Sequence, residues 1–210
     1  MHKNRYSYIQ IGNTCGFYSI GCCLGDLQCI DNPFEFINDM VNECRLLNLT
    51  TVGEVFDIDL LFKIALKFSP QNVRISKYKV NTAKDILERL NNNTRIVFPI
   101  NSNSVPHYIT LLSYKGKTVT CCNGGFLKKY NYKKLFRLNK HVPNKYNWKK
   151  FKVYSQFTLN LNYIANGCSA LEKQLINQDN HNNKIQLKSL RKKGMQDVSM
   201  KGYCLLFEKI

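Results

Sequence analysis

Gln10 stands five residues before Cys15, and Cys15 is followed by Gly16 and the run Phe17-Tyr18-Ser19-Ile20. A cysteine attacks as its thiolate, so a reactive one needs something that lowers its pKa. A helix beginning at or just after Cys15 supplies this, because helix N-terminal amides and the helix dipole favour negative charge. The Cys15 backbone amide and the Gln10 side-chain amide are then placed to donate together to an oxyanion forming beside the sulfur. Gly16 is expected to keep bulk off the attacking side. The chemistry implied is nucleophilic attack on a carbonyl. The plainer alternative makes Cys15 the start of a buried helix and one of nine cysteines.

A thiol nucleophile needs a base, and there are four histidines to choose from. His2 is next to the first residue, His141 lies in a lysine-rich stretch and His181 in an asparagine-rich one. His107 differs: it follows Pro106 and opens the strand-like run His-Tyr-Ile-Thr-Leu-Leu-Ser, which offers a rigid support for an imidazole at a sheet edge. A third group has to accept from the second ring nitrogen. No Asp or Glu occurs from Arg89 to Leu171, so the acceptor must be an amide. If Tyr114-Lys115-Gly116 is a three-residue hairpin loop, Ser113 faces Lys117 and His107 falls opposite Asn123, within reach of its oxygen. A one-residue change in that loop turns Asn123 to the other face. Asn123-Gly124-Gly125 also reads simply as a turn.

These residues need elements to hold them. Cys15 to Leu24 reads as a short helix ending near Gly25-Asp26. Pro33 to Leu47 is a second, with Asp31 or Asn32 as cap and a stripe of Phe34, Ile37, Met40, Val41, Cys44 and Leu47. Glu54 to Phe68 is a third, with Leu60, Leu61, Ile64, Ala65 and Phe68 inward. The period then shortens: Val73 to Val80 alternates as a strand, Thr82 to Leu90 is a short capped helix, and Arg95 to Ile100 is a buried strand. His107 to Ser113 and Lys117 to Cys122 form the hairpin, Lys128 to Leu138 holds a helical turn, and Lys152 to Leu161 alternates again. Ile164 to Ile176 reads as helix, Gln178 to Lys184 as a polar loop, and Tyr203 to Ile210 as a last strand. Helices followed by an antiparallel sheet make the fold α+β. One domain over 1–210 is expected: a helical half over 1–92, a sheet half over 93–163, and a C-terminal helix and strand extension over 164–210.

At 44% hydrophobic and 12% aromatic, the chain has the composition of a globular domain. Nine cysteines and no signal-peptide pattern point to a reducing compartment. The adjacent pairs Cys22-Cys23 and Cys121-Cys122 are badly placed to bridge. Cys22, Cys23, Cys29, Cys44, Cys168 and Cys204 read as small buried apolar residues. Without a CxxC pair, and with few histidines, neither a metal nor a cofactor is expected. No apolar run approaches the roughly 20 residues that span a bilayer, so no transmembrane segment is expected.

The net charge of +17 is unevenly spread. Lys128, Lys129, Lys133, Lys134, Arg137, Lys140, Lys145, Lys149, Lys150 and Lys152 form one run, and Lys184 to Lys193 holds a second cluster. This suggests an acidic protein or peptide as partner, with nucleic acid or an anionic membrane as alternatives, although a solvated basic face would look the same. Tyr130, Tyr132, Phe136, Tyr146 and Trp148 interleave with the cations, as a surface for stacking bases would.

Gln10, Cys15-Gly16, His107 and Asn123-Gly124-Gly125, in that order, resemble the papain-like cysteine peptidase superfamily. Within it, Cys-Gly before small and apolar residues, and a His-aromatic-apolar strand leading to a short turn, are similar to the double-glycine (bacteriocin-leader) peptidases and related bacterial effector proteases. The five-residue Gln-to-Cys step resembles the actin-maturation protease group. The step is one residue shorter than in papain, and Asn123 stands where the double-glycine group usually has Asp. The resemblance implies a papain-like fold, with the Cys on an N-terminal helix and the His and Asn on the sheet. It also implies a Cys15-His107-Asn123 triad, with Gln10 holding the oxyanion. The implied activity is cleavage of a peptide bond in a cytosolic protein, a host target included, by a chain in the cytoplasm or delivered into a host cytosol. The same machinery serves glutamine deamidation or acyl transfer, and a non-enzymatic basic module remains the further alternative. No transporter-linked role is expected, since no membrane or ATPase segment is present.

Overall fold

A computed structural model of the protein describes residues 14–50, 54–150, 192 and 194–210. The expected segments Lys152 to Leu161, Ile164 to Ile176 and Gln178 to Lys184, together with Cys168 and most of the second lysine cluster, lie outside these residues.

Three N-terminal helices come first. α1 spans Cys15–Asp26 and α2 spans Pro33–Leu46. Of the two capping candidates, Asn32 acts: its side chain accepts from the Glu35 amide at 3.3 Å, with Pro33 in the first turn. The apolar stripe of α2 is narrower than its pattern, since Leu47 is 49% exposed. α3 spans Ile58–Phe68, starting four residues after the expected Glu54. Asp57 sets that start by accepting from the amides of Asp59 and Leu60 at 2.7 and 3.3 Å. Glu54 instead accepts from the Thr50 hydroxyl at 3.0 Å. α1 and α2 approach closely, for a Cβ on Gly21 would lie 2.4 Å from Ile37.

The strands follow: β1 (Val73–Lys79), β2 (Thr94–Ser102), β3 (Val105–Lys115), β4 (Thr118–Asn123) and β5 (Phe126–Asn131). The helix expected over Thr82 to Leu90 is only α4, Lys84–Glu88, because the Asp85 carboxylate ties down the Asn81 and Thr82 amides ahead of it. Where a helical turn was expected from Lys128, β5 runs on to Asn131 and α5 (Tyr132–Lys140) begins there. Asn131 caps α5 by accepting from the Lys133 amide at 2.9 Å. The short β6 (Lys145–Asn147) pairs with β7 (Met195–Asp197).

The last strand, β8 (Tyr203–Lys209), is not an appendage as the expected extension would make it. It inserts between β1 and β2, giving an antiparallel six-stranded sheet in the order β1-β8-β2-β3-β4-β5. The run Cys204-Leu-Leu-Phe207 is buried on both faces, which only a central strand permits. The protein is mixed α+β, with N-terminal helices and an antiparallel sheet.

Each sheet face has its own core. Phe17, Ile20, Leu24, Met40 and Leu61 from α1–α3 pack with Val97, Tyr108 and Phe207 on one side. Ile86 and Leu135 from α4 and α5 pack with Phe98, Ile109, Leu111 and Leu206 on the other. Alternate residues of β2, β3 and β8 supply the two faces. Asp26, at the end of α1, is ion-paired with Arg95 of β2 and is largely buried. Among the described residues no helix is long and apolar enough to cross a membrane.

Candidate active site

Cys15 is the first residue of α1. Tyr18 donates to the Thr14 carbonyl at 2.8 Å in the first helical bond, so the amides of Cys15, Gly16 and Phe17 precede the ladder. Burial pushes the Cys15 thiol up, yet the thiol ends below its ordinary value of 9.0. The His107 hydrogen bond and charge and the Tyr108 and Gly16 backbone amides together outweigh the burial.

His107 lies near the start of β3, just after Pro106, opposite Ile100 of β2. Its Nε2–H donates to Asn123 Oδ1 at 2.9 Å. That leaves Nδ1 as the nitrogen toward Cys15, whose side chain His107 also bonds. Burial pushes the imidazole pKa down and Lys128 adds to this. The Cys15 contacts and the Asn123 bond prevail and hold it above its ordinary 6.5. All three residues are half-buried.

The hairpin differs from its expected form. Its loop is Gly116-Lys117, with Lys115 facing Thr118 and Gly116 at φ 57°, so Ser113 faces Thr120 and not Lys117. A bulge between Leu111 and Ser113 shifts the register again, and Thr110 then faces Cys122. Extended by one residue, Asn123 comes level with Ile109, and His107 meets it diagonally. The Asn-Gly-Gly turn and the His107 partner are the same feature. Asn123 faces Phe126 across Gly124 and Gly125, whose φ values of 60° and 95° suit a tight two-residue hairpin turn.

The structure thus brings together Cys15, His107 and Asn123, from α1, β3 and β4. Gln10 lies outside the described residues, as do His2 and His181. His141 ends α5, where its Nδ1–H donates to the Arg137 carbonyl at 2.7 Å. Gly16 serves packing and not the attacking side: it is buried, and a Cβ there would lie 3.0 Å from Leu61 and 3.4 Å from Tyr108. Tyr108 is a residue the sequence reading did not single out, although its place beside His107 was a signal. Its amide bonds the Cys15 sulfur, and its buried Oη has no hydrogen-bond partner among the described residues. Thr110, two residues on, fastens β3 to α1 by donating to the Ser19 carbonyl at 3.1 Å.

The other cysteines divide by environment. Cys23, Cys44 and Cys204 are buried as expected, whereas Cys22 and Cys29 are half-buried. Burial pushes Cys204 and Cys121 up to about 12. Cys122 is drawn down to about 7 by hydrogen bonds from Cys22 and from Tyr18, whose Oη is 3.8 Å from Cys122 Sγ. No cluster of three or more His, Cys, Asp or Glu able to hold a metal occurs among the described residues.

Three of the five aromatic residues of the basic run are turned away from a stacking surface, while Tyr130 and Phe136 are half-buried with Lys134 and Lys140 over their rings. Trp148, Tyr146 and Tyr132 are buried. Tyr146 and Trp148 pack edge to face at 5.0 Å and surround Phe56, and the indole Nε1–H donates to Gln196 at 2.8 Å. Burying these rings gains more than leaving them in water, so the cations remain outside while the aromatics turn inward. No protein-family model matches this chain, and a comparison with curated proteins finds no match.

Proposed function

We propose that this chain is a cysteine peptidase of papain-like design, acting on a protein substrate. The observation that carries the proposal is the relay from the first residue of a helix through one imidazole to an amide oxygen, Cys15 to His107 to Asn123. The pKa directions agree with it, the thiol held low and the imidazole high by each other. The placement of a cysteine-bearing N-terminal helix against an antiparallel sheet that carries His and Asn supports the papain-like fold.

His107 Nδ1 holds the Cys15 proton, and the thiolate attacks the substrate carbonyl carbon to form a tetrahedral intermediate. The amide of Cys15, which precedes the helical hydrogen-bond ladder, donates to its oxyanion. Gln10, carried over from the resemblance, is the second donor. His107 then protonates the leaving amine, the thioester forms, and water activated by His107 releases the acid and restores the thiol. Asn123 positions the ring by holding Nε2–H, so that Nδ1 is the nitrogen that exchanges the proton.

The test is a comparison of parent and Cys15→Ala proteins incubated with a cell lysate, with new protein N-termini mapped by mass spectrometry. New termini in the parent sample alone are expected. Identical patterns from both proteins overturn the proposal. A mass gain at substrate glutamines without new termini replaces cleavage by deamidation.

A further inference from the structure

β5 is the outer strand of the sheet, and it is attached to the candidate site through the Asn123-Gly124-Gly125-Phe126 turn. In a hairpin with a two-residue turn the closing pair exchanges hydrogen bonds and the next pair does not. Asn123 and Phe126 are that closing pair, so Leu127 and Lys129 turn their amides and carbonyls to the open side. Among the described residues these groups have no backbone partner. Apart from the half-buried Tyr130 the strand is exposed, with Phe126 at 54% and Leu127 at 51%.

Charge decides what can bind there. Lys128 and Lys129 lie on the strand, and Lys117, Lys133 and Lys134 flank its Asn131 end, all exposed. No carboxylate occurs from Arg89 to Leu171 to neutralise them. A second copy of the chain laid along this edge would set lysine against lysine, so the edge rejects itself. Nucleic acid is disfavoured because Tyr132, Tyr146 and Trp148 are turned inward and Tyr130, on β5, is half-buried with Lys134 over its ring.

We propose that the open edge of β5 docks an extended, acidic segment of the substrate protein by strand addition. The proposal rests on the peptidase reading above. The docked strand lies three strand spacings from β3, about 14 Å, and extended chain covers about 3.3 Å per residue. The docked segment therefore begins about four or five residues from the residue attacked by Cys15. The edge amides of Leu127 and Lys129 hold the backbone, and the lysines select acidic side chains.

The probe is a fluorescein-labelled twelve-residue peptide alternating Glu and Val, followed by fluorescence anisotropy on the full chain. Three comparisons are made: the same peptide N-methylated at alternate amides, the Leu127→Pro and Lys129→Glu proteins with their thermal midpoints, and labelled single-stranded oligothymidine. Proline at an edge position removes an outward N–H and leaves the β4 ladder in place. Binding of the parent peptide, weakened at least tenfold by N-methylation and by either substitution, is expected. Absence of binding, or equal binding of the N-methylated peptide, overturns strand addition, and this comparison needs no variant to fold. Tighter binding of oligothymidine that is lost in Lys129→Glu makes the edge a nucleic-acid site instead. The rate of Cys15 alkylation by iodoacetamide in the parent protein tests the underlying peptidase reading separately, since it depends on the Cys15–His107 pair and not on docking.

Discussion

His107 and Asn123 share a 2.9 Å hydrogen bond although the β3–β4 register does not set them face to face. The bulge at Leu112 advances β4 along β3, so the ring reaches across a diagonal to an amide at the mouth of a glycine turn. An amide oxygen accepts without adding charge. The elevation of the His107 pKa therefore rests on Cys15 first and on Asn123 second, against the opposing effect of burial.

Asn123→Ala removes the acceptor of Nε2–H and frees the ring to turn. Misplacement of a catalytic group by about 1 Å costs up to about 100-fold in rate, and on the proposed mechanism a loss of that order is expected in the rate at which new N-termini form in the lysate. Asn123→Asp keeps the acceptor and adds a negative charge beside the imidazole, which raises its pKa further. On the proposed peptidase mechanism, in which protonated His107 releases the amine, the alkaline limb of the pH–rate profile then moves to higher pH than in the parent. An unmoved limb in Asn123→Asp removes Asn123 from the relay.

The alkylation profile of Cys15 against pH separates the two opposing influences on the thiol. In the parent protein its midpoint falls below 9.0. In His107→Ala the lowering partner is gone and burial remains, so the midpoint moves up. At a fixed pH below both midpoints, each unit of that move slows alkylation about tenfold. Peptide-mapped iodoacetamide labelling reads this directly. A His107→Ala profile identical to the parent's disproves the pairing.

Much of this site was legible from residue types, because each carries its chemistry in its local pattern. A cysteine at a helix start and a histidine opening a strand after proline are signals within a few residues. Asn123 was reached through an incorrect loop, and the agreement came from the bulge, which no local pattern announced. β5 was missed because its residues read Phe-Leu-Lys-Lys-Tyr-Asn, which does not alternate: no layer covers either face beyond the half-buried Tyr130, whereas β1, the other edge strand, buries Val73 and Ile75 and does alternate. The central position of β8 was equally hidden, since neighbours in a sheet are set by packing over the whole chain. The buried Trp148 and Tyr146 show the same limit: a lysine-rich context says nothing about which way a ring turns.

Cys122 provides a contrast with Cys15. Its pKa is drawn down to about 7, yet it is 1% exposed between α1 and the sheet. Thiolate character without access gives no reactivity in the native state. In native protein at neutral pH, Cys15 is expected to label at least tenfold faster than Cys122, and in urea the difference should disappear as both reach the unfolded pKa near 8.5. Native labelling of Cys122 at a rate comparable with Cys15 contradicts the burial of the α1–β4 contact.

The Arg95–Asp26 pair tests how α1, and so Cys15, is anchored to the sheet. Asp26 closes α1, where the helix dipole disfavours a carboxylate, and the Arg95 guanidinium on β2 offsets this. The side chains are only 13% and 8% exposed, so removing one partner leaves the other charge buried. Arg95→Ala is expected to cost about 3–5 kcal/mol in urea unfolding, the range for breaking a buried pair. Replacing both residues by well-packed apolar side chains should recover much of that loss, because no charge is then stranded. Cys15 alkylation measured in the double variant at low denaturant would stay fast, since the thiol's own partners are untouched. Loss of fast alkylation in a folded double variant shows that the ion pair also sets the angle at which α1 presents its first turn to His107.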